Sequence, residues 1–128
     1  MLRFCPLALL IAALCGCQRT PAPFAAVHGR VLYKGSQIPG GLIVFTPDAS
    51  RGTSGAIAFG KIREDGSYTL FTGEAEGASA GWYRVTVGAL VPSAPVSLLP
   101  EKYRDPSSSL LACEVKPDRP NQLDFNLD

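Results

Sequence analysis

The chain has 128 residues, 46% of them hydrophobic, and 12 basic residues against 11 acidic ones give a formal charge of +1. That length holds one hydrophobic core and not two, and the near-neutral charge excludes the basic excess of a nucleic-acid binder. The 13 glycines and 11 prolines fit short strands and turns, and Cys5, Cys15 and Cys17 with a solitary Cys113 make neither a disulfide framework nor a zinc site.

The first segment reads as an address. Arg3 supplies a positive charge, and Leu7-Ala8-Leu9-Leu10-Ile11-Ala12-Ala13-Leu14 is an apolar run. It is too short for a permanent transmembrane helix and suits a secretory signal. It ends in Leu14-Cys15-Gly16-Cys17, which resembles a bacterial lipobox, although Cys15 is less usual there than Ala or Ser. The resemblance implies that Cys17 carries a diacylglycerol on sulfur and becomes the first residue of the mature chain. The alternatives are an ordinary signal cut near Gly16 or an uncleaved anchor. Two or more acyl chains, palmitate among them, would hold the protein on the bacterial cell membrane or outer membrane without spanning it. Loss of residues 1–16 removes Arg3, leaving 11 basic residues against 11 acidic ones. Residues 17–26 then form a lipidated Cys and a proline-containing tether, and residues 27–128 form the domain.

From Val27 the pattern has period two. Val27, Gly29, Val31 and Tyr33 alternate with His28, Arg30, Leu32 and Lys34, which predicts a strand with one buried face. Gly35-Ser36 and Pro39-Gly40-Gly41 mark turns, and Leu42–Phe45 is a second strand stopped at Pro47-Asp48. Gly55–Ile62 is expected as a third strand, with Ala58, Gly60 and Ile62 inward. Glu64-Asp65-Gly66-Ser67 is expected as a hairpin turn, leading into a fourth strand with Tyr68, Leu70 and Thr72 inward. After a loop at Gly73–Gly81, Tyr83, Val85, Val87 and Ala89 alternate with Trp82, Arg84, Thr86 and Gly88. Val91–Ser109 has four prolines and no clean period. Leu111, Cys113 and Val115, and then Leu123, Phe125 and Leu127, give two more alternating runs. About seven short strands with turns between them predict an all-β, antiparallel Greek-key sandwich, because each strand buries one face only.

The strand and Lys34-Gly35 turn after Val27, Val44-Phe45-Thr46-Pro47, Asp65-Gly66-Ser67-Tyr68-Thr69-Leu70, Gly81-Trp82-Tyr83-Arg84-Val85-Thr86-Val87 and Leu99-Pro100-Glu101-Lys102-Tyr103 follow one another in order. This order resembles the carboxypeptidase regulatory-like domains among the transthyretin-like (prealbumin-like) sandwiches, and most of all the small bacterial lipoproteins built from one such domain. The resemblance covers about Ala26 to Asp128. His28-Gly29-Arg30 departs from the commoner Ser-Gly-Lys. The resemblance implies an accessory surface module and carries over no catalytic residue, and no cofactor is expected.

The residues give the same picture. His28 is the only histidine, on an expected outer strand face, and neither His-Glu-x-x-His nor Gly-x-Ser-x-Gly occurs, so a metallohydrolase or serine triad has no support. Glu64, Asp65, Glu74 and Glu76 lack the spacing of a Ca²⁺ loop. Cys113 alternates with apolar residues and is expected to be a buried thiol. Two features stand out as candidate binding elements: Trp82 on the outer face of its strand, and Leu99, Lys102, Tyr103 and Arg104 in the long segment. The same segment reads equally as a crossover whose apolar residues plug the sandwich end.

The expected function is non-catalytic: a structural or binding module at the cell envelope, with a protein or glycan partner besides its membrane. The alternative is a transthyretin-like carrier or hydrolase using an oligomer channel. The single histidine and the absence of a terminal Tyr-Arg-Gly-Ser-like motif weigh against the hydrolase.

Overall fold

The structure, a computed structural model, describes residues 24–38, 40–88 and 99–128. The expected signal segment 1–16, Cys17, most of the tether, the expected inward position of Ala89 and the 91–98 part of the proline-rich segment lie outside the described residues. The described residues form strands and short turns with no α-helix. The strands are β1 (Val27–Tyr33), β2 (Ser36–Gln37), β3 (Gly41–Pro47), β4 (Ala58–Ile62), β5 (Ser67–Thr69), β6 (Phe71–Thr72), β7 (Ala75–Glu76), β8 (Gly81–Gly88), β9 (Leu111–Val115), β10 (Asn121–Gln122) and β11 (Phe125–Leu127).

They make two sheets. In the first, β1 is flanked by β2 and β5 on one side and by β10 and β11 on the other; in the second the order is β7-β6-β4-β3-β8-β9. Val27, Val31, Tyr68 and Leu127 of the first sheet and Ile43, Phe45, Ala58, Val85 and Val87 of the second are buried in one hydrophobic cluster. Phe45 spans the layers, with its ring centroid 6.4 Å from Tyr68 and 6.0 Å from Phe125 of the first sheet and 5.8 Å from Tyr83 of its own. The alternation in the sequence is the cause: β1 begins buried–exposed–buried–exposed–buried, and β4 follows the same pattern throughout.

Three expectations are refined. The third strand begins at Ala58, not Gly55. The fourth strand is broken at Leu70, with Ser67–Thr69 pairing with β1 and Phe71 pairing with β4 in the other sheet. The Glu64–Ser67 turn does form, with Gly66 at φ 81° and its amide donating to the Arg63 carbonyl at 2.8 Å. The chain then leaves β4 instead of running back along it. Gly60 permits the crossing, since a Cβ there would stand 2.5 Å from the Thr69 carbonyl oxygen.

The third refinement concerns the C-terminus. β10 and β11 run parallel to β1, the one departure from antiparallel pairing among the described strands. The two pieces share one register, Val27 opposite Asn121 and Val31 opposite Phe125, interrupted at Leu123–Asp124. There the Leu123 carbonyl folds over Gly29 and accepts the Tyr68 hydroxyl. The Arg30 amide, deprived of a backbone acceptor, donates to the Asp124 carboxylate at 2.9 Å.

Candidate functional site

The segment 99–109 folds as a 3-10 turn at Glu101–Arg104 followed by a serine-rich turn. Leu99 and Tyr103 are buried in the core and present no surface to a ligand. The Tyr103 hydroxyl donates to the Asp128 carboxylate at 2.9 Å and accepts the Asp128 amide at 3.2 Å, tying the segment to the end of the last strand. That bond holds the Asp128 carboxyl below its ordinary value. Lys102 and Arg104 are exposed. The Lys102 ammonium stands 4.9 Å from the Tyr103 ring centroid, and Arg104 pairs with Glu101 at 3.0 Å. The described part of the segment thus works as a plug, with Arg104 also bordering Leu42, Val44 and Thr86 on the second sheet.

Trp82 sits elsewhere, on the outer face of β8, and it is half-buried. Its amide donates to the Thr53 hydroxyl at 2.7 Å, and its carbonyl accepts the Asp48 amide at 2.9 Å. These bonds pin the 3-10 turn Ala49–Arg51 against the strand. Asp48 starts that turn: its carboxylate accepts the Ser50 amide at 3.1 Å and the Ser50 hydroxyl at 2.5 Å. The turn carries Arg51 over the indole, its guanidinium carbon 4.3 Å from the ring centroid. Asp48 is only 6% exposed, and Arg51 at 3.7 Å and Arg84 at 3.5 Å flank its other oxygen. Two guanidinium groups on one carboxylate leave one positive charge in excess.

Beside this cluster lies a shallow hollow of about 220 Å³, bordered by Arg51, Arg84, Pro106, Ser107 and Leu110. Leu110 is 88% exposed and holds φ 60°, an uncommon conformation for a leucine. Asp48 and Ser50 also line the hollow, whereas Trp82 lies under Arg51 and outside it. An arginine-lined hollow with an apolar rim suits a ligand with an anionic group and an apolar part. The sequence singled out Trp82 but missed Asp48, Arg51, Arg84 and Leu110. Pro47-Asp48-Ala49-Ser50 carries a legible turn signal, whereas Arg84 reaches Asp48 only through the pairing of Thr46 with Arg84 across two strands.

A second shallow groove, of about 360 Å³, crosses the outer face of the first sheet between His28, Arg30, Arg63, Thr69 and Asp124. Arg63 is held flat along β5 by the Ser67 and Thr69 hydroxyls at 3.0 and 2.9 Å. His28 is exposed there. Cys113 is partly buried against the core, and desolvation pushes its thiol up to about 12, so it stays protonated at neutral pH. Among the described residues no three His, Cys, Asp or Glu side chains come together as a metal site.

Two measurements probe this surface. Trp82 is the only tryptophan, so its emission reports Arg51 directly. Arg51→Ala uncovers the indole, and the expected result is a red-shifted emission with stronger acrylamide quenching; an unchanged spectrum contradicts the stacking. The second is acid stability. Asp48, Asp65, Asp105 and Asp128 are all held below the ordinary 3.8, chiefly by side-chain hydrogen bonds from Ser50, Ser67, Ser107 and Tyr103 respectively. The folded state therefore favours their ionised forms. Their contribution is present above the unfolded value of about 3.9 and is lost as pH falls through the lower folded values. Urea midpoints should be flat down to about pH 5 and fall below about pH 4, and Asp48→Asn should shrink that fall.

No protein-family model matches the sequence, no curated protein matches it, and no solved structure matches the fold.

Proposed function

We propose that this chain is a non-catalytic, lipid-anchored module of the bacterial envelope, exported by residues 1–16 and held by acyl chains on Cys17. The observation that carries the reading is the Leu14-Cys15-Gly16-Cys17 end of the apolar run, with the domain's first backbone pairing made soon after it, between Ala25 and Ala78. In this reading the two sheets are a Greek-key sandwich of the transthyretin-like, carboxypeptidase regulatory-like kind.

The chemistry of the described side chains supports a binding role over a catalytic one. The four perturbed aspartates are engaged in turns or in the terminal tyrosine contact. The thiol is protonated, and the hollow between Arg51 and Arg84 offers cationic groups and an apolar rim, its Asp48 carboxylate being engaged by Ser50 and by both arginines. Its partner is an envelope protein or glycan carrying an anionic group. Fractionation of cells expressing the full chain tests the anchoring. The wild-type protein should stay with membranes through a high-salt wash, and Cys17→Ala should appear in the soluble extracytoplasmic fraction. Equal membrane retention of the two overturns the reading.

A further inference from the structure

The outer face of the second sheet carries an apolar row. Phe71 on β6 lies opposite Phe59 on β4, Phe59 opposite Val44 on β3, and Val44 opposite Thr86 on β8. Leu42 stands two residues along β3 on the same face. Phe71 is 38%, Phe59 40% and Leu42 41% exposed, although each sits in a regular strand where solvent-facing positions are usually polar. The strand positions of the row are uncharged, and Arg104 reaches its β3–β8 end beside Leu42, Val44 and Thr86, leaving Phe59 and Phe71 as its open part. Lys61 borders it beside Leu42, and Glu76 borders it beside Phe71.

The chain enters the domain at one end of this row. Ala25 bridges Ala78, and Phe24 packs at Gly77, immediately after the β6–β7 hairpin that bears Phe71. Phe24 lies seven residues after Cys17, a span of at most about 25 Å when fully extended. We infer that this face, centred on Phe59 and Phe71, rests on the lipid surface that holds the Cys17 anchor. The inference depends on the anchoring proposed above. The physical reason is effective concentration. A few half-exposed apolar side chains bind a bilayer too weakly to hold a free protein. On a short tether the same contact becomes intramolecular, at a local concentration in the millimolar range. Lys61 and Glu76 at the ends of the row keep it at headgroup depth, with the aromatic rings in the interface. The Arg51–Arg84 hollow, on the same outer face but toward β9, stays at the rim of this contact and open to a partner.

The test uses the full chain, purified from membranes and reconstituted into phosphatidylcholine–phosphatidylglycerol vesicles with and without lipids brominated high on the acyl chain. Two single-tryptophan reporters are compared in a Trp82→Phe background: Phe59→Trp on the proposed contact and Glu64→Trp at the turn following β4. Circular dichroism like that of wild type establishes that each variant is folded. Brominated lipid should quench Phe59→Trp about twofold or more and leave Glu64→Trp nearly unchanged. Three results overturn the inference: no quenching at Phe59→Trp, equal quenching at both positions, or a Phe59→Cys variant that forms disulfide-linked dimers on the vesicles, which would place a second copy on this face. Intact mass of the same preparation separates the two claims. Lipid on Cys17 without quenching overturns the contact alone, and absence of lipid overturns the anchoring and the contact together.

Discussion

Phe45→Ala should destabilise the domain by about 3–5 kcal/mol, the largest loss expected of any single truncation. Phe45 has no solvent exposure and is the ring through which the two sheets meet, touching Tyr68, Tyr83 and Phe125. Truncation removes its burial and three aromatic contacts, and leaves a cavity between layers that strands on both sides keep from collapsing. For a domain of this size that loss lowers Tm by roughly 15 °C or more, against a total stability of about 5–15 kcal/mol. Phe59→Ala provides the contrast. Phe59 is on the neighbouring strand, one position from the register of Phe45 and on the opposite face, and its loss should be about 1 kcal/mol. Urea unfolding of both variants checks the pair; similar losses would mean that the core does not lie between the sheets as described.

Gly29→Ala should be nearly as damaging, although it adds a single methyl group. A Cβ at Gly29 would fall on the Leu123 carbonyl, 2.6 Å from its carbon and well inside the 3.0 Å that real Cβ contacts respect. The obstruction is backbone, so no rotamer change relieves it. Pushing Leu123 away separates the C-terminal strand from β1 at its weakest point, where the Asp124 side chain already replaces a backbone acceptor. It also strips the buried Tyr68 hydroxyl of its partner. Overpacking costs about 1–3 kcal/mol and an orphaned buried hydroxyl about 1–3 more, so a loss of about 3 kcal/mol or greater is expected. Gly88→Ala is the control, since a Cβ there meets nothing within 4 Å. It should leave the urea midpoint unchanged within about 0.5 kcal/mol. A Gly29→Ala protein as stable as wild type would contradict the interrupted parallel pairing.

These two sites also mark how far the sequence is legible. Period-two alternation revealed β1, β8 and β9 and the inward faces of Phe45's neighbours, because burial of one face writes directly into residue order. If β5 with β6 and β10 with β11 are taken as single interrupted strands, and the two-residue β2 and β7 are set aside, seven runs remain among the described residues, beside the about seven expected. The interruptions were not legible. They arise where Gly60 and Gly29 let another segment's carbonyl approach, and a glycine in an alternating run does not announce what will cross it. The parallel direction of the last strand was hidden for a similar reason, since alternation is the same in either direction.

The site was less legible than the fold. Trp82 stood out as a lone aromatic on an outward position, but its cover comes from Arg51, which reaches it through a turn set by Asp48. Leu99 and Tyr103 looked available because they lie in an aperiodic segment, yet their apolar bodies fill the sandwich end and Tyr103 keeps its hydroxyl on Asp128. The apolar row on the second sheet emerges only when Phe71, Phe59 and Val44 are placed side by side by cross-strand register.

The most direct test of the central claim, that the domain is carried on a lipidated Cys17, is the intact mass of the protein extracted from cell membranes. The expected result is a polypeptide that begins at Cys17 and is heavier than its sequence by a diacylglycerol and further acyl substitution. A chain that retains residues 1–16, begins at any other residue, or bears an unmodified Cys17 would contradict it.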